Sequence, residues 1–168
     1  MPHAVVSAMG PDRPGIVARV TRVLLEHGCN VADSHMGLLS GRFTMMLVVE
    51  VPAGVDEERF LADLEEAGGD LGLDAVYAHY VRDSEPPATP THLVTVYGAD
   101  HPGIVHAVAA ALAERGATIT DLQTRLAAEL YVMTLEVAGD ADIEGALAAV
   151  SAAENVEVTV RPLEPDVL

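Results

Sequence analysis

The 168-residue sequence predicts an α+β protein made of two copies of one βαββαβ module, each a four-stranded antiparallel sheet with two helices on one face. Three observations lead there. The first is a repeat: Gly10-Pro11-Asp12-Arg13-Pro14-Gly15-Ile16-Val17 recurs as Gly98-Ala99-Asp100-His101-Pro102-Gly103-Ile104-Val105, a shift of 88. The shift holds without a gap through Val20 and Val108, Gly28 and Gly116, Asp33 and Asp121, Met45 and Met133, as far as Val49 and Val137. Beyond it, Val76 to Tyr80 matches Val156 to Val160 at a shift near 80, so the second copy is expected to be about eight residues shorter. The second observation is the order of apolar patterns within each copy. The third is Asp83-Ser84-Glu85-Pro86-Pro87-Ala88-Thr89-Pro90, with three prolines and no apolar periodicity, the composition of an extended connector. The expected organisation is a first module over 1–82, a connector over 83–91, a second module over 92–162 and a short tail over 163–168, disordered or packed on an edge.

In the first copy, Ala4 to Met9 is a short apolar run closed by Gly10, which reads as a strand. A helix follows. Pro14 suits its first turn, where a missing N–H costs nothing, and Ile16, Val17, Val20, Val23 and Leu24 form one apolar stripe that stops at Gly28. Cys29 to Leu39 and Arg42 to Val51 read as strands joined by the tight-turn pair Ser40-Gly41. Asp56 to Ala67 sets Phe60, Leu61 and Leu64 on one side of an acidic helix, and Ala75 to Val81 is the last strand. This order is the ferredoxin-like, or split βαβ, arrangement. In the central hairpin Phe43, Met45, Leu47 and Val49 alternate with Thr44, Met46 and Val48, and Tyr131, Met133 and Leu135 alternate with Val132 and Thr134. Both faces are apolar while helices cover one, so the modules are expected to combine their sheets, within the chain or as a homodimer. At about 80 residues a lone module is also marginally stable.

Charge and composition remove several functions. A formal net charge of −17 repels phosphate backbones, so no direct nucleic-acid binding is expected. All nine basic residues are Arg, which excludes Schiff-base, pyridoxal-phosphate and P-loop lysines. Cys29, the single cysteine, excludes an intrachain disulfide and a multi-cysteine metal cage, and reads as a small buried apolar residue. No apolar stretch approaches the length of a bilayer span, and the N-terminus lacks the basic segment of a secretory signal, so the expected location is cytoplasmic with no membrane contact.

The residues that carry chemistry lie at the strand-to-helix junction. Gly-x-Asp-Arg-Pro-Gly-Ile-Val, an amphipathic helix ending Leu24-Leu25-Glu26-His27-Gly28, then Asn30-Val31-Ala32-Asp33 and Gly41-Arg42-Phe43-Thr44-Met45, resembles an ACT domain. The tandem arrangement is similar to that of the glycine cleavage system transcriptional repressor family, and the resemblance covers nearly the whole chain. Independently of it, Gly15 and Gly103 let the backbone approach a small molecule, and the first N–H groups of the following helix favour a carboxylate. Asp12 and Asp100 either accept a bond from a ligand's ammonium or cap the helix. The resemblance implies a ligand where this loop meets the start of the second strand, often across an interface, which adds Asn30 and Asp33; Asn30 also reads as a turn residue after Gly28. The candidate ligand-binding residues are therefore Asp12, Arg13, Gly15, Ile16, Asn30, Asp33, Asp100, His101, Gly103 and Ile104.

Other polar residues read as structural. Asp33, Ser34 and His35 cannot form a triad, because strand neighbours point to opposite faces. His101 and His106 are five apart and lack the spacing of metal ligands, so neither a metal nor a cofactor is expected. Acyl-phosphate hydrolysis, which some ferredoxin-like modules perform, needs a cradled Arg and a water-positioning Asn; here His101 replaces Arg13 and no Gly-rich cradle is present. The expectation is a non-enzymatic regulator that binds an amino acid such as glycine or serine and modulates a partner protein, with a ligand-free pairing module as the alternative. The glycine cleavage repressor resemblance implies that the partner is a separate transcriptional regulator of amino-acid metabolism.

Overall fold

The computed structural model describes residues 2–81, 88–127, 130–139 and 142–163. Most of the predicted connector, and the tail from residue 164 onward, lie outside the described residues. The chain divides into two units, Met1–Glu85 and Pro86–Leu168. Unit 1 runs β1 (His3–Pro11), α1 (Ile16–Glu26), β2 (Asn30–Leu39), β3 (Arg42–Glu50), α2 (Glu57–Leu71), β4 (Ala75–Val81). Unit 2 repeats it as β5 (His92–Ala99), α3 (Ile104–Glu114), β6 (Thr118–Ala127), β7 (Leu130–Ala138), α4 (Ile143–Glu154), β8 (Val156–Pro162). The sheets are antiparallel with strand orders β2-β3-β1-β4 and β6-β7-β5-β8, the predicted ferredoxin-like topology in both.

Each unit has its own core on the helix side of its sheet. In unit 1, Phe43, Met45, Leu47 and Val49 of β3 join Val6 and Ala8 of β1 beneath Ile16, Val20 and Leu24 of α1 and Phe60 and Leu64 of α2. In unit 2, Tyr131, Met133, Leu135 and Val137 lie beneath Ile104, Val108 and Leu112 of α3 and Ile143 and Leu147 of α4. The two helices of unit 1 are also pinned at one end, where His27 Nε2 lies 2.8 Å from Asp63 Oδ2 and its ring meets Phe60 edge-on. Leu39 and Arg42 close the hairpin through Ser40 at φ 49° and Gly41 at φ 76°, the two positive values that a tight right-twisted hairpin turn needs.

Four sequence expectations are corrected. Pro14 lies outside α1: Gly15 is the N-cap, and Ile16 is the first helical residue. Cys29 is half-buried at the margin of the core rather than within it. Ala8 pairs with Val76 and its counterpart Val96 with Val158, so the last strands are related by a shift of 82 and the second copy is six residues shorter than the first, not eight. Val156, Val158 and Val160 alternate along β8, so Val76 could be matched to more than one of them, and only the pairing register separates the alignments. The open faces also differ. Met9, Met46 and Tyr77 are exposed on that of unit 1, while the counterpart of Met46 in unit 2 is Thr134, flanked by Gln123 and Thr95.

Phe60 is fully buried between α1, α2 and the sheet. Phe60→Ala is expected to destabilise unit 1 by about 3–5 kcal/mol, read as a lowered urea midpoint for that unit.

Candidate functional site

Each unit has one capped helix and one left open. Asp56 Oδ1 accepts the Arg59 N–H at 3.1 Å and Asp142 Oδ1 accepts the Gly145 N–H at 2.8 Å, so α2 and α4 begin with a side-chain cap, reinforced by Glu57, Glu58 and Glu144 in their first turns. α1 and α3 have neither a side-chain cap nor an acidic first turn. Their first internal bonds run from Arg19 N–H to the Gly15 carbonyl and from Ala107 N–H to the Gly103 carbonyl, both 2.9 Å. The amides of Ile16, Val17 and Ala18, and those of Ile104, Val105 and His106, therefore have no acceptor inside the helix.

Glycine makes this opening possible. Gly15 and Gly103 have φ of 94° and 111°, which L side chains rarely adopt, and no other group stands within 4 Å of where a Gly15 side chain would begin. Asp12 and Asp100, which the sequence allowed as caps, do not cap these helices; both are exposed beside the turn, and the Asp12 N–H bonds the Gly41 carbonyl at 3.3 Å, tying the loop to the hairpin tip. Ile16 and Ile104 are buried in the cores, so only their backbone faces outward.

Arg13 and His101 have partners already. Arg13 Nη1 donates to the carbonyl of Leu71, the last residue of α2, at 3.2 Å. His101 Nε2 lies 2.8 Å from the carbonyl of Glu154, the last residue of α4, and Nδ1 lies 3.2 Å from the Pro102 carbonyl. Equivalent positions in the two units thus hold the negative end of the second helix, where a cation is favoured and that helix supplies no basic residue in its last turn. A carbonyl can only accept, so both ring nitrogens of His101 must donate, which the imidazolium alone can do. The Glu154 carbonyl raises the His101 pKa first, then the Pro102 carbonyl; these outweigh partial desolvation, and the Glu154 and Asp100 carboxylates add to them. The sequence showed these two residues at matched positions but not their partners, which lie more than 50 residues away.

Asn30 and Asp33 are not brought to the loop of their own unit. Asn30 pairs with Glu50, which pairs with His3, at the end of the sheet opposite Pro11. Along β1 that separation is roughly 26 Å at about 3.3 Å per residue. The Asn30 amide reaches Glu50 Oε2 at 3.5 Å, and Asp33 Oδ1 accepts the Ser34 N–H at 2.7 Å beside a bulge between Val31 and Asp33 that unit 2 repeats between Ile119 and Asp121. The grooves described within the units lie elsewhere, the largest about 380 Å³ and one of these lined by Ala107, Ala111, Ala146 and Ala149 between α3 and α4.

Family models for the ACT domain match residues 3–78 and again residues 92–155. Among curated proteins, a UPF0237 protein of Methanopyrus kandleri is 39% identical over 80 residues, 47% of this chain and 89% of its own length. One from Lactococcus lactis is 44% identical over 72 residues, 43% and 82%. Among solved structures, an unknown protein from Galdieria sulphuraria is 31% identical with a TM-score of 0.82, covering 97% of this chain and 99% of its own. A provisionally named glycine cleavage system transcriptional repressor shares the fold at 20% identity, with a TM-score of 0.77 and 98% of each chain covered.

Because the His101 pKa is raised on folding, the stability it contributes is complete below the unfolded pKa, about 6.5, and is lost as pH rises through the folded value. The difference in urea midpoint between the wild type and His101→Ala is expected to be largest near pH 5.5 and to shrink toward pH 8.5. The corresponding difference for Arg13→Ala should stay level, since a guanidinium keeps its charge throughout.

Proposed function

The chain belongs to the ACT-domain family, in two copies, and from that premise we propose that it is a non-enzymatic regulator that senses a small amino acid such as glycine or serine. The observation that carries this reading is the contrast between open α1 and α3 and capped α2 and α4. An amino acid's carboxylate is the acceptor that three free amides at a helix N-terminus favour. Asp12 and Asp100, exposed and not spent on caps, supply a countercharge for its ammonium.

The proposed site takes a second surface: among the described residues the loop of unit 1 is bonded to Gly41 and Leu71, and that of unit 2 to Glu154. Asn30 and Asp33, and in the second copy Thr118, are available at the far end of each sheet, out of reach of their own loop. An Asn amide offers donors and an acceptor where Thr offers one hydroxyl, so Asn30 is the better ligand contact. The signal would pass to a partner protein, a transcriptional regulator of amino-acid metabolism. Direct contact with nucleic acid is disfavoured by the charge of −17, and the cytoplasm is the proposed location. No helix among the described residues is long and apolar enough to cross a membrane.

Thermal-shift screening of free amino acids tests the reading, because a ligand that binds only the folded state raises its stability. Glycine or serine is expected to raise Tm in a concentration-dependent way. Calorimetry should then show Asn30→Ala weakening binding by about 1–3 kcal/mol and Thr118→Ala weakening it less. No response to any amino acid would favour the ligand-free pairing module. Random duplex DNA should not be retarded even at low salt, where electrostatic attraction is strongest.

A further inference from the structure

The open face of unit 1 holds a four-residue square that a second copy of the same face can fill. Met9 pairs with Thr44 and Met46 with Ser7, so two methionines stand on one diagonal and two small hydroxyl residues on the other. Met9 is 45% and Met46 53% exposed, while Ser7 and Thr44 are half-covered between them. Val5 and Val48, paired with each other in the next row, extend the apolar area. His35 beside Met46, Asp33 beside Val48, and Tyr77 and His79 on β4, form a more polar border. An apolar centre with an amphipathic rim is the anatomy of an interface.

We propose that this face of unit 1 is a self-docking surface, occupied by the same face of a second copy of this chain. A two-fold axis between the two sheets, running along the strands, carries each Met9 over a Thr44 and each Met46 over a Ser7 of the other copy. Knobs then meet hollows with the strands aligned, as two packed sheets prefer, and the contact is isologous. Four strands about 4.8 Å apart and seven to ten residues long give a footprint of about 440–630 Å², which corrugation brings toward the roughly 800 Å² per partner of a standard interface.

The equivalent face of unit 2 does not fit this role. Its square is Tyr97, Val132, Thr95 and Thr134, and the surrounding positions include Arg125, Glu136, Glu157 and Arg161, where unit 1 has Gly37, Val48, Ala75 and His79. Burying those charges against methionine and valine would leave them without water or partners, a cost the apolar contact does not offset. That argues for a second copy of unit 1, rather than a unit 2 face, as the occupant. The face does not include the Asp-x-Pro-Gly loops, and its test variants touch no proposed ligand residue, so it stands or falls separately from that reading.

Sedimentation equilibrium of the full chain tests it. The wild type is expected to dimerise with a Kd in the micromolar range. Met46→Glu and Met9→Glu should each weaken the dimer at least 100-fold while their circular dichroism and Tm stay close to wild type, both side chains being about half exposed in the free chain. Met46→Ser, a milder change, should weaken it about tenfold, and Thr134→Glu, at the matching position of unit 2, should leave it unchanged. A wild-type monomer, a dimer indifferent to Met46→Glu, or equal disruption by Thr134→Glu would each overturn the proposal.

Discussion

A strand that must turn into a helix within four residues has few backbone paths, and here it takes the one that requires a left-handed residue just before the helix. Gly15 and Gly103 provide it, at φ of 94° and 111°. The consequences spread outward from that turn. The first amides of α1 and α3 stay open, because the N-cap is a glycine with no side chain to bond them. The proline of the repeat is excluded from the helix and serves instead to stiffen the approach. Arg13 and His101, held one residue before that proline, project toward the second helix of the unit and bind its last carbonyl.

The turn therefore joins two helix ends of opposite polarity. The positive N-terminus of the first helix is left without a side-chain cap, while the negative C-terminus of the second is neutralised from the loop. The two units differ in how firmly that bond is made. An Arg guanidinium holds α2 at every accessible pH, whereas α4 is held by an imidazole that must be protonated to serve both carbonyls.

Divergence between the copies is concentrated outside their shared interior. The helix-side residues of β3 and β7 correspond one to one, Met45 with Met133 and Leu47 with Leu135, because each must fill space under two helices. The open faces had no such constraint from their own unit. One carries methionine and valine, and the other tyrosine, valine, threonine and charge. Edge strands β2 and β6 differ too: Asn30, Ser34 and His35 correspond to Thr118, Leu122 and Gln123.

Period and punctuation in the chain alone determined the repeat, the βαββαβ order, the helix-side core and the location of the glycine turn before the first helix, since each of these is written in local spacing. Phe43 to Val49 announced its buried face by alternation, and Gly15 announced a turn by being glycine in a repeated motif. What the tertiary structure alone decided were the matters that depend on distant segments. It placed Asn30 at the far end of the sheet from Asp12, because β1 and β2 run in the same direction with β3 between them. It gave Arg13 and His101 their partners at Leu71 and Glu154, and it set the register that relates Val76 to Val158. Local spacing cannot carry such information: strand pairing and helix docking are set by which surfaces bury together, and those surfaces meet only when the chain has folded.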